Sequence, residues 1–303
     1  MIRVLVTGAG GQVGAEVARA LEGRAEVAAR DRAALDLADP KALANAVREL
    51  RPALIVNAGG YTAVDRAESE PTQAHAVNAV APGVLAEEAR RVGALLVHFS
   101  TDYVFDGSKR TPYVETDPTG PLGEYGRSKL AGEAAVAAAG GAHLVLRTSW
   151  VYGPRGRNFL LTMLRAGAER QELRVVDDQR GAPTSSLQLA SLVARLLVPE
   201  EGVREPGEAD LERLKAASGT YHATAAGETT WHGFAQAIFD GWCVRLPTYR
   251  RPRLIAIPTS EYPTPARRPA NSVLSNARLE AAFGTRIGDW APGLEAVLSA
   301  LPR

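Results

Sequence analysis

The chain has 303 residues, 46% hydrophobic and 23% charged, with a formal net charge of +1. That length allows one large domain or two modest ones, the composition is that of an ordinary globular protein, and no basic excess points to nucleic acid or an anionic membrane as partner. No run approaches the roughly 18 apolar residues of a membrane span, "MIRVLVTGAG" enters a strand without a signal-peptide pattern, and the lone Cys243 rules out an internal disulfide, so a cytoplasmic protein is expected.

In chain order, "IRVLVT" (2–7) is nearly all apolar, as a strand buried on both faces should be. Helical spacing follows at 13–22, a strand at 26–30, and a helix at 39–50 with Asp39 as N-cap and Pro40 in its first turn. "ALIVNA" (53–58) is a strand, 71–93 a helix, "ALLVHFS" (94–100) a strand, 126–140 a helix and "AHLVLRTSW" (142–150) a strand. Strands separated by helices of this length imply parallel βαβ units with right-handed crossovers. After Trp150 the pattern loosens. Helices are expected at 158–171, 186–198 and 229–242 and a strand at 220–225. The charged stretch 200–219 reads as loop with some helix, and 247–271 is rich in Pro and Arg. The fold class expected is α/β, a doubly wound parallel sheet of Rossmann type with a smaller, irregular C-terminal region. Residues 1–150 would form the dinucleotide domain, with segments of 172–230 partly returning to it, and 151–303 would mainly bind substrate.

"VTGAGGQVG" places Gly8, Gly11 and Gly14 between a strand and a helix, with Gln12 and Val13 opening that helix. Bare backbone lets a pyrophosphate approach, and the helix N-terminus offers free N–H groups and a positive dipole end. An acidic residue is expected roughly 20 positions on to hold a ribose hydroxyl. Asp31 stands there, followed by Arg32, which could pair with a 2′-phosphate, so NADH and NADPH both stay open as cofactor. Asp36 and Leu37 fall where an adenine edge could sit. Asn57, Ala58, Gly60, Tyr61 and Thr62 follow the third strand, where a dinucleotide should cross the sheet edge. Asn57 could equally cap the turn there, and Asn78 on the next helix could make a structural hydrogen bond.

"GEYGRSKLAGE" sets Tyr125 four residues before Lys129, on one helix face. An ammonium beside a phenol lowers its pKa from about 10, which suits proton exchange with a carbonyl or alcohol. The preceding strand ends in Ser100 and Thr101, hydroxyls able to bond a substrate oxygen. Nicotinamide hydride plus a proton from Tyr125 makes carbonyl reduction.

These features together resemble the extended short-chain dehydrogenase/reductases. "NAGGYTAVDRAESEP", "STDYVFDG", "YGRSKLAGE", "RTSWVYG", "DDQRGAPT" and "YPTPARRPANS" are similar to the dTDP-4-dehydrorhamnose reductase branch of that family, from residue 1 to about 290. The resemblance implies reduction of the C4 ketone of dTDP-4-dehydro-L-rhamnose, with Thr101, Tyr125 and Lys129 catalytic. It implies that Asp65, Asp102, Tyr103 and Trp150 line the substrate pocket, with core packing the plainer role for Trp150. Arg268 is the candidate for the sugar nucleotide's diphosphate, since guanidinium suits phosphate oxygens, and Arg267 its solvated neighbour. His75, His98, His143, His222 and His232 show no ligand spacing and are read as structural. Rival readings are a nucleotide-sugar epimerase or dehydratase on the same fold and a non-catalytic dinucleotide-binding subunit. A dehydratase would want a Glu after Asp102, where Tyr103 stands. The resemblance also implies a possible homodimer bridged by Mg²⁺, with Glu16 at one ligand position. The helix "SSLQLASLVARLL" (185–197) carries no Asp or Glu to complete such a site, so no metal is expected and Glu16 reads as an exposed helix residue.

Overall fold

A computed structural model describes residues 1–198 and 205–302. Five short segments of the first half, apolar except at the exposed edge strand, and one from later in the chain build a single parallel sheet. They are β1 (Arg3–Thr7), β2 (Glu26–Arg30), β3 (Leu54–Asn57), β4 (Leu95–Thr101), β5 (His143–Thr148) and β10 (Gly219–His222), in the order β10-β5-β4-β3-β1-β2. Alternation sorts their side chains. Val4, Val6, Leu54, Val56, Leu95, Val97, Leu144 and Leu146 enter one core, whereas Leu5, Ile55, Leu96 and Val145 enter the other. A strand buried on both faces has no polar side, which is why these segments read as continuous apolar runs.

Helices α1 (Gln12–Leu21) and α8 (Ser186–Leu197) cover the first face. The second is covered by α2 (Pro40–Leu50), α5 (Ala81–Val92) and α6 (Glu124–Ala138). Asp39 caps α2 by accepting from Lys41 N and Ala42 N, both at 3.0 Å, with Pro40 at the first position. The helix expected over 71–93 is three joined pieces: α4 (Pro71–His75), a π-turn at Ala76–Val80, and α5, ending at left-handed Gly93. Just before them stands α3 (Val64–Ala67).

The remaining chain forms a smaller body beside the sheet's C-terminal edge. The pair β6 (Val151–Tyr152) and β9 (Thr184–Ser185) is parallel, and β8 (Arg180–Gly181) meets β11 (Thr229–Thr230) antiparallel. β7 (Glu172–Val176) and β12 (Arg253–Ile257) make a separate parallel pair. The Pro- and Arg-rich stretch 247–271 thus holds a strand, whose pairing with β7 is set by Leu254 opposite Leu173 and Ile257 opposite Val176. Against this body pack α7 (Phe159–Glu169), α10 (Trp231–Arg245) and α12 (Trp290–Ala300), around Leu160, Phe234, Ile238 and Val297. Thr230 caps α10 by accepting from Gly233 N at 3.0 Å. Within the charged stretch, α9 (Glu208–Ala216) is helical, and residues 199–204 lie outside the described residues. α11 (Ala277–Phe283) returns to the first core through Leu279 and Phe283.

Candidate functional site

Every parallel strand of the large sheet ends on the same side, and the sequence-predicted residues gather there. The loop after β1 holds Gly8 at φ +67°, and a Cβ on it would stand 2.5 Å from the Gly59 backbone. A Cβ on Gly14 would stand 2.3 Å from Gly8 O. Side chains are therefore barred where the loop folds over α1. The first turn of α1 has no side-chain cap and no acidic residue, so its N–H groups are left for an anion. That bare cradle fits a dinucleotide pyrophosphate. Gln12 accepts from Asn158 Nδ2 at 2.8 Å, tying the loop to the smaller body, and Val13 packs on the first core.

Asp31, at the end of β2, is exposed and accepts from Ala34 N at 2.9 Å. Arg32 is exposed and lies 3.7 Å from Asp36. Leu37 is buried in the second core, with Gly59 beside it. Ala58 packs on the first core, and Gly60 and Thr62 follow at the loop. Tyr61 donates its hydroxyl to Glu70, and its backbone is clamped by Asn78, which accepts from Tyr61 N at 2.8 Å and donates to Tyr61 O at 3.0 Å. The π-turn aims Asn78 this way. A third bond runs from its amide to Ser128 on α6 at 3.0 Å.

Thr101 ends β4, donating to Asp102 at 3.1 Å and accepting from Tyr103 N at 3.2 Å. Asp102 is buried, and burial pushes its carboxyl up to about 6, with hydrogen bonds from Ser272 and Thr101 pulling back. Tyr125, in the first turn of α6, meets the Tyr103 ring edge-on at 5.5 Å between centroids. Burial pushes the Tyr125 phenol up to about 12, Thr101 pulls it down, and the Asp102 charge pushes it further up. Burial and the Asp102 charge also raise Tyr103.

Lys129 and Ser100 are placed differently from what their sequence neighbourhood implies. Lys129 was expected to face Tyr125 and lower its pKa. Instead its ammonium turns inward, donating to Phe99 O at 2.6 Å with His98 Nε2 at 3.3 Å, because at 5% exposure it must find partners inside the protein. Burial lowers Lys129 to about 8, with Glu133 acting in the opposite sense. Ser100 is not open to a substrate oxygen either. It donates to Glu133, which also takes a bidentate bond from Arg147, at 3.0 and 2.7 Å, in a buried ion pair.

Substrate-side residues come together from distant parts of the chain. Arg268 grips Asp65, Nη2 to Oδ2 at 2.8 Å and Nη1 to Oδ1 at 3.1 Å, and also donates to Ala266 O and Thr264. Burial works against the Asp65 charge, but Arg268 and the Ala266 amide outweigh it and hold the carboxyl below its ordinary range. Burial likewise opposes the Arg268 charge, and Asp65 outweighs it. Arg267 beside it is exposed. Trp150 holds φ +47°, a strained value for a bulky residue, and stacks on Trp231 with ring centroids 3.6 Å apart. Gly181 leaves room for the Trp150 ring, since a Cβ there would come within 2.5 Å of it. Trp231 and its partner Gln179, joined at 3.1 Å, were missed by the sequence reading, although Gln179 lies inside "DDQRGAPT".

Glu16 is a further correction. It is 2% exposed, paired with Arg19 and lying 3.2 Å from Arg155 Nε. The loop after β6 closes over this face of α1, so the carboxylate is neutralised by guanidinium groups of its own chain. Among the described residues no group of three or more His, Cys, Asp or Glu side chains could hold a metal, and no helix is long and apolar enough to cross a membrane.

Residues 2–302 match the family model described as the RmlD substrate binding domain. The chain is 50% identical to the dTDP-4-dehydrorhamnose reductase of Burkholderia thailandensis, over 95% of both chains. Among solved structures it resembles a dTDP-4-dehydrorhamnose reductase of Clostridium acetobutylicum, with a TM-score of 0.88, 36% identity and 99% of each chain covered. It resembles equally the Bacillus anthracis enzyme solved in complex with NADP, with a TM-score of 0.88, 32% identity and the same coverage. The chain belongs to this family.

Proposed function

From that membership and the geometry of the site, we propose that the chain reduces the C4 ketone of dTDP-4-dehydro-L-rhamnose with NADPH or NADH, forming dTDP-L-rhamnose in dTDP-rhamnose biosynthesis. The observation that supports this reading is the placing of Thr101, at the end of β4, and Tyr125, in the first turn of α6, on the side of the sheet where the glycine loop leaves the N-terminus of α1 bare for an anion. A bound reduced nicotinamide supplies the hydride. Tyr125, with its phenol pushed up to about 12, is protonated at neutral pH, the form a reduction needs in its acid. It gives the proton to the oxygen of the forming alcohol, while Thr101 steadies the charge developing there. The N–H of Lys129 not taken by Phe99 O and His98 would hold the nicotinamide ribose.

Gly8, Gly11, Gln12 and Val13 would hold the pyrophosphate, and Asp31 and Arg32 the adenosine ribose. Residues 1–150 with the returning segments would form the cofactor side and 151–303 mainly the sugar-nucleotide side, where Arg268, joined by Asp65, Thr101, Asp102, Tyr103 and Trp150 of the first part, would bind substrate. We place the enzyme in the cytoplasm. Because Arg19 and Arg155 neutralise Glu16, turnover and any homodimer should be independent of Mg²⁺. EDTA treatment followed by assay and mass measurement in solution checks that, and restoration of either property by Mg²⁺ would contradict it.

The decisive assay follows loss of reduced nicotinamide absorbance when purified protein meets enzymatically made dTDP-4-dehydro-L-rhamnose. Stoichiometric oxidation with formation of dTDP-L-rhamnose is expected. No oxidation by a folded protein that binds the dinucleotide would point to a regulatory subunit. Tightly co-purifying NAD without net oxidation would point to an epimerase.

A further inference from the structure

We propose that His98 is a positioning residue for Lys129: set by the lysine charge in the tautomer with its proton on Nδ1, it accepts from the lysine ammonium and fixes where the remaining N–H points. The proposal rests on the reading of Lys129 as a catalytic residue and deepens it.

The observation is a polar row inside an apolar core. Sheet register pairs Thr7 with Asn57 and Asn57 with His98 across three neighbouring strands. Alternation puts all three on the face of Leu5, Ile55 and Leu96, the face covered by α6. Thr7 Oγ1 lies 2.7 Å from Asn57 Oδ1, Asn57 Nδ2 lies 3.0 Å from His98 Nδ1, and His98 Nε2 lies 3.3 Å from Lys129 Nζ. Thr7, Asn57 and His98 are each 0% exposed. Burying three polar side chains where Leu or Val would pack carries a desolvation cost that hydrogen bonding only offsets. The row is therefore poorly explained by stability alone.

Donor counting sets its direction. An ammonium has donors only, so a charged Lys129 requires Nε2 to be bare and the imidazole proton to sit on Nδ1. Nδ1–H then needs an acceptor, which is the amide oxygen of Asn57 once the amide is turned by half a turn from the orientation with Nδ2 on Nδ1 and Oδ1 accepting from Thr7; the amide nitrogen is then left to donate to Thr7. The orientation in the structure, with Nδ2 donating to Nδ1, goes with Nε2–H and a neutral amine on Lys129, and the half-turn that relates the two leaves the shape unchanged. One row thus has two hydrogen-bond directions, one for each charge on the lysine. The 2.6 Å bond to Phe99 O favours the charged form. Burial and the Lys129 charge both hold His98 well below its ordinary pKa, so the ring remains a neutral acceptor. Glu133, one helical turn along, is taken up by Arg147 and Ser100 and leaves Lys129 to this row. With one N–H on Phe99 and one on His98, the ammonium has a single donor left for the cleft.

The test separates the two ring nitrogens. In His98→Asn the new amide replaces Nδ1 and the contact to Lys129 is lost. In His98→Gln the longer amide reaches the place of Nε2 and restores an acceptor. The expected result is that Asn lowers kcat and weakens NADPH binding by about 10-fold each, the scale of one lost hydrogen bond, whereas Gln stays within about 3-fold of wild type. Wild-type behaviour of the Asn variant, or equal losses in both variants, would reduce His98 to a packing residue. Wild-type protein carrying ¹⁵N-labelled histidine gives an answer that needs no variant to fold. A bare Nε2 and protonated Nδ1 are expected at neutral pH, and a protonated Nε2 overturns the proposal. If wild-type protein fails to reduce the sugar nucleotide, the functional reading falls while the tautomer measurement still stands.

Discussion

The two ends of the cleft are built by different means. At the Lys129 end, Thr7, Asn57 and His98 come from neighbouring strands of one sheet, and backbone register alone brings them side by side. At the Arg268 end, Asp65 and Arg268 are 203 positions apart and meet through side chains that remain 40% and 22% exposed. Trp150 and Trp231 meet in the same way, through loops and the start of α10. The first end inherits its geometry from a buried sheet, which leaves little freedom. The second is held by a few contacts between segments that the sheet does not constrain, so it can be altered without disturbing the first.

Four substitutions bear on this division. The largest effect belongs to Tyr125→Phe, which keeps the ring and removes the acid. It should lower kcat roughly 10²-fold or more with dinucleotide affinity nearly intact, and steady-state turnover near wild type would remove Tyr125 from the mechanism. Next is Arg268→Ala. A charge-assisted contact to phosphate is worth enough to raise the sugar nucleotide KM about 10-fold or more, with the NADPH Kd unchanged. If both constants moved together, the two ends would not be independent.

Asp102 lies on the border and gives a test of stability. Its carboxyl is raised by burial from 3.8 to about 6 in the folded chain, so the folded state favours the protonated form. Stability is then greatest at pH below the unfolded value and is lost as pH rises through about 6. Asp102→Asn removes the buried charge and should raise Tm at about pH 8 by several degrees while making it less dependent on pH. Thermal melts across that window decide it, and a wild-type chain that gains no stability on mild acidification would show the carboxyl to be solvated. The smallest effect is expected from Arg32→Ala, at an exposed position. NADPH should weaken roughly 3-fold more than NADH, and equal dissociation constants would mean that Arg32 does not face the 2′ position.

The sheet end was also the legible end. Strands buried on both faces appear as unbroken apolar runs, and Asp39 before Pro40 signals a helix start by a local bond. What escaped the sequence depends on partners far along the chain. β12 lies in a stretch rich in Pro and Arg and becomes a strand only by pairing with β7. The π-turn at Ala76–Val80 shifts a helical period by a single residue, which an apolar pattern of alanines and valines does not register. Glu16 looks exposed until Arg155 closes over it, and Ser100 looks free until Glu133 and Arg147 claim it. The spacing of Tyr125 and Lys129 gave their shared helix face, but the inward turn of the ammonium follows from the buried carbonyl of Phe99 and the ring of His98. Burial of a charge is decided by the whole surroundings of a side chain, and spacing along one helix does not contain them.

The late arrival of β10 has a consequence for synthesis. When β5 leaves the ribosome, its outer edge has no partner, and the apolar face of α1 still lacks α8. About 70 further residues separate the end of β5 from β10, which at about 5–20 residues per second is a wait of roughly 4–14 seconds. Throughout that interval the nascent chain carries an open strand edge and, until α8 is complete at Leu197, an uncovered hydrophobic helix, the two features that recruit chaperones and neighbouring chains. A truncated message ending before Gly219 should therefore yield an aggregating product, although it encodes Tyr125, Lys129 and the whole glycine loop.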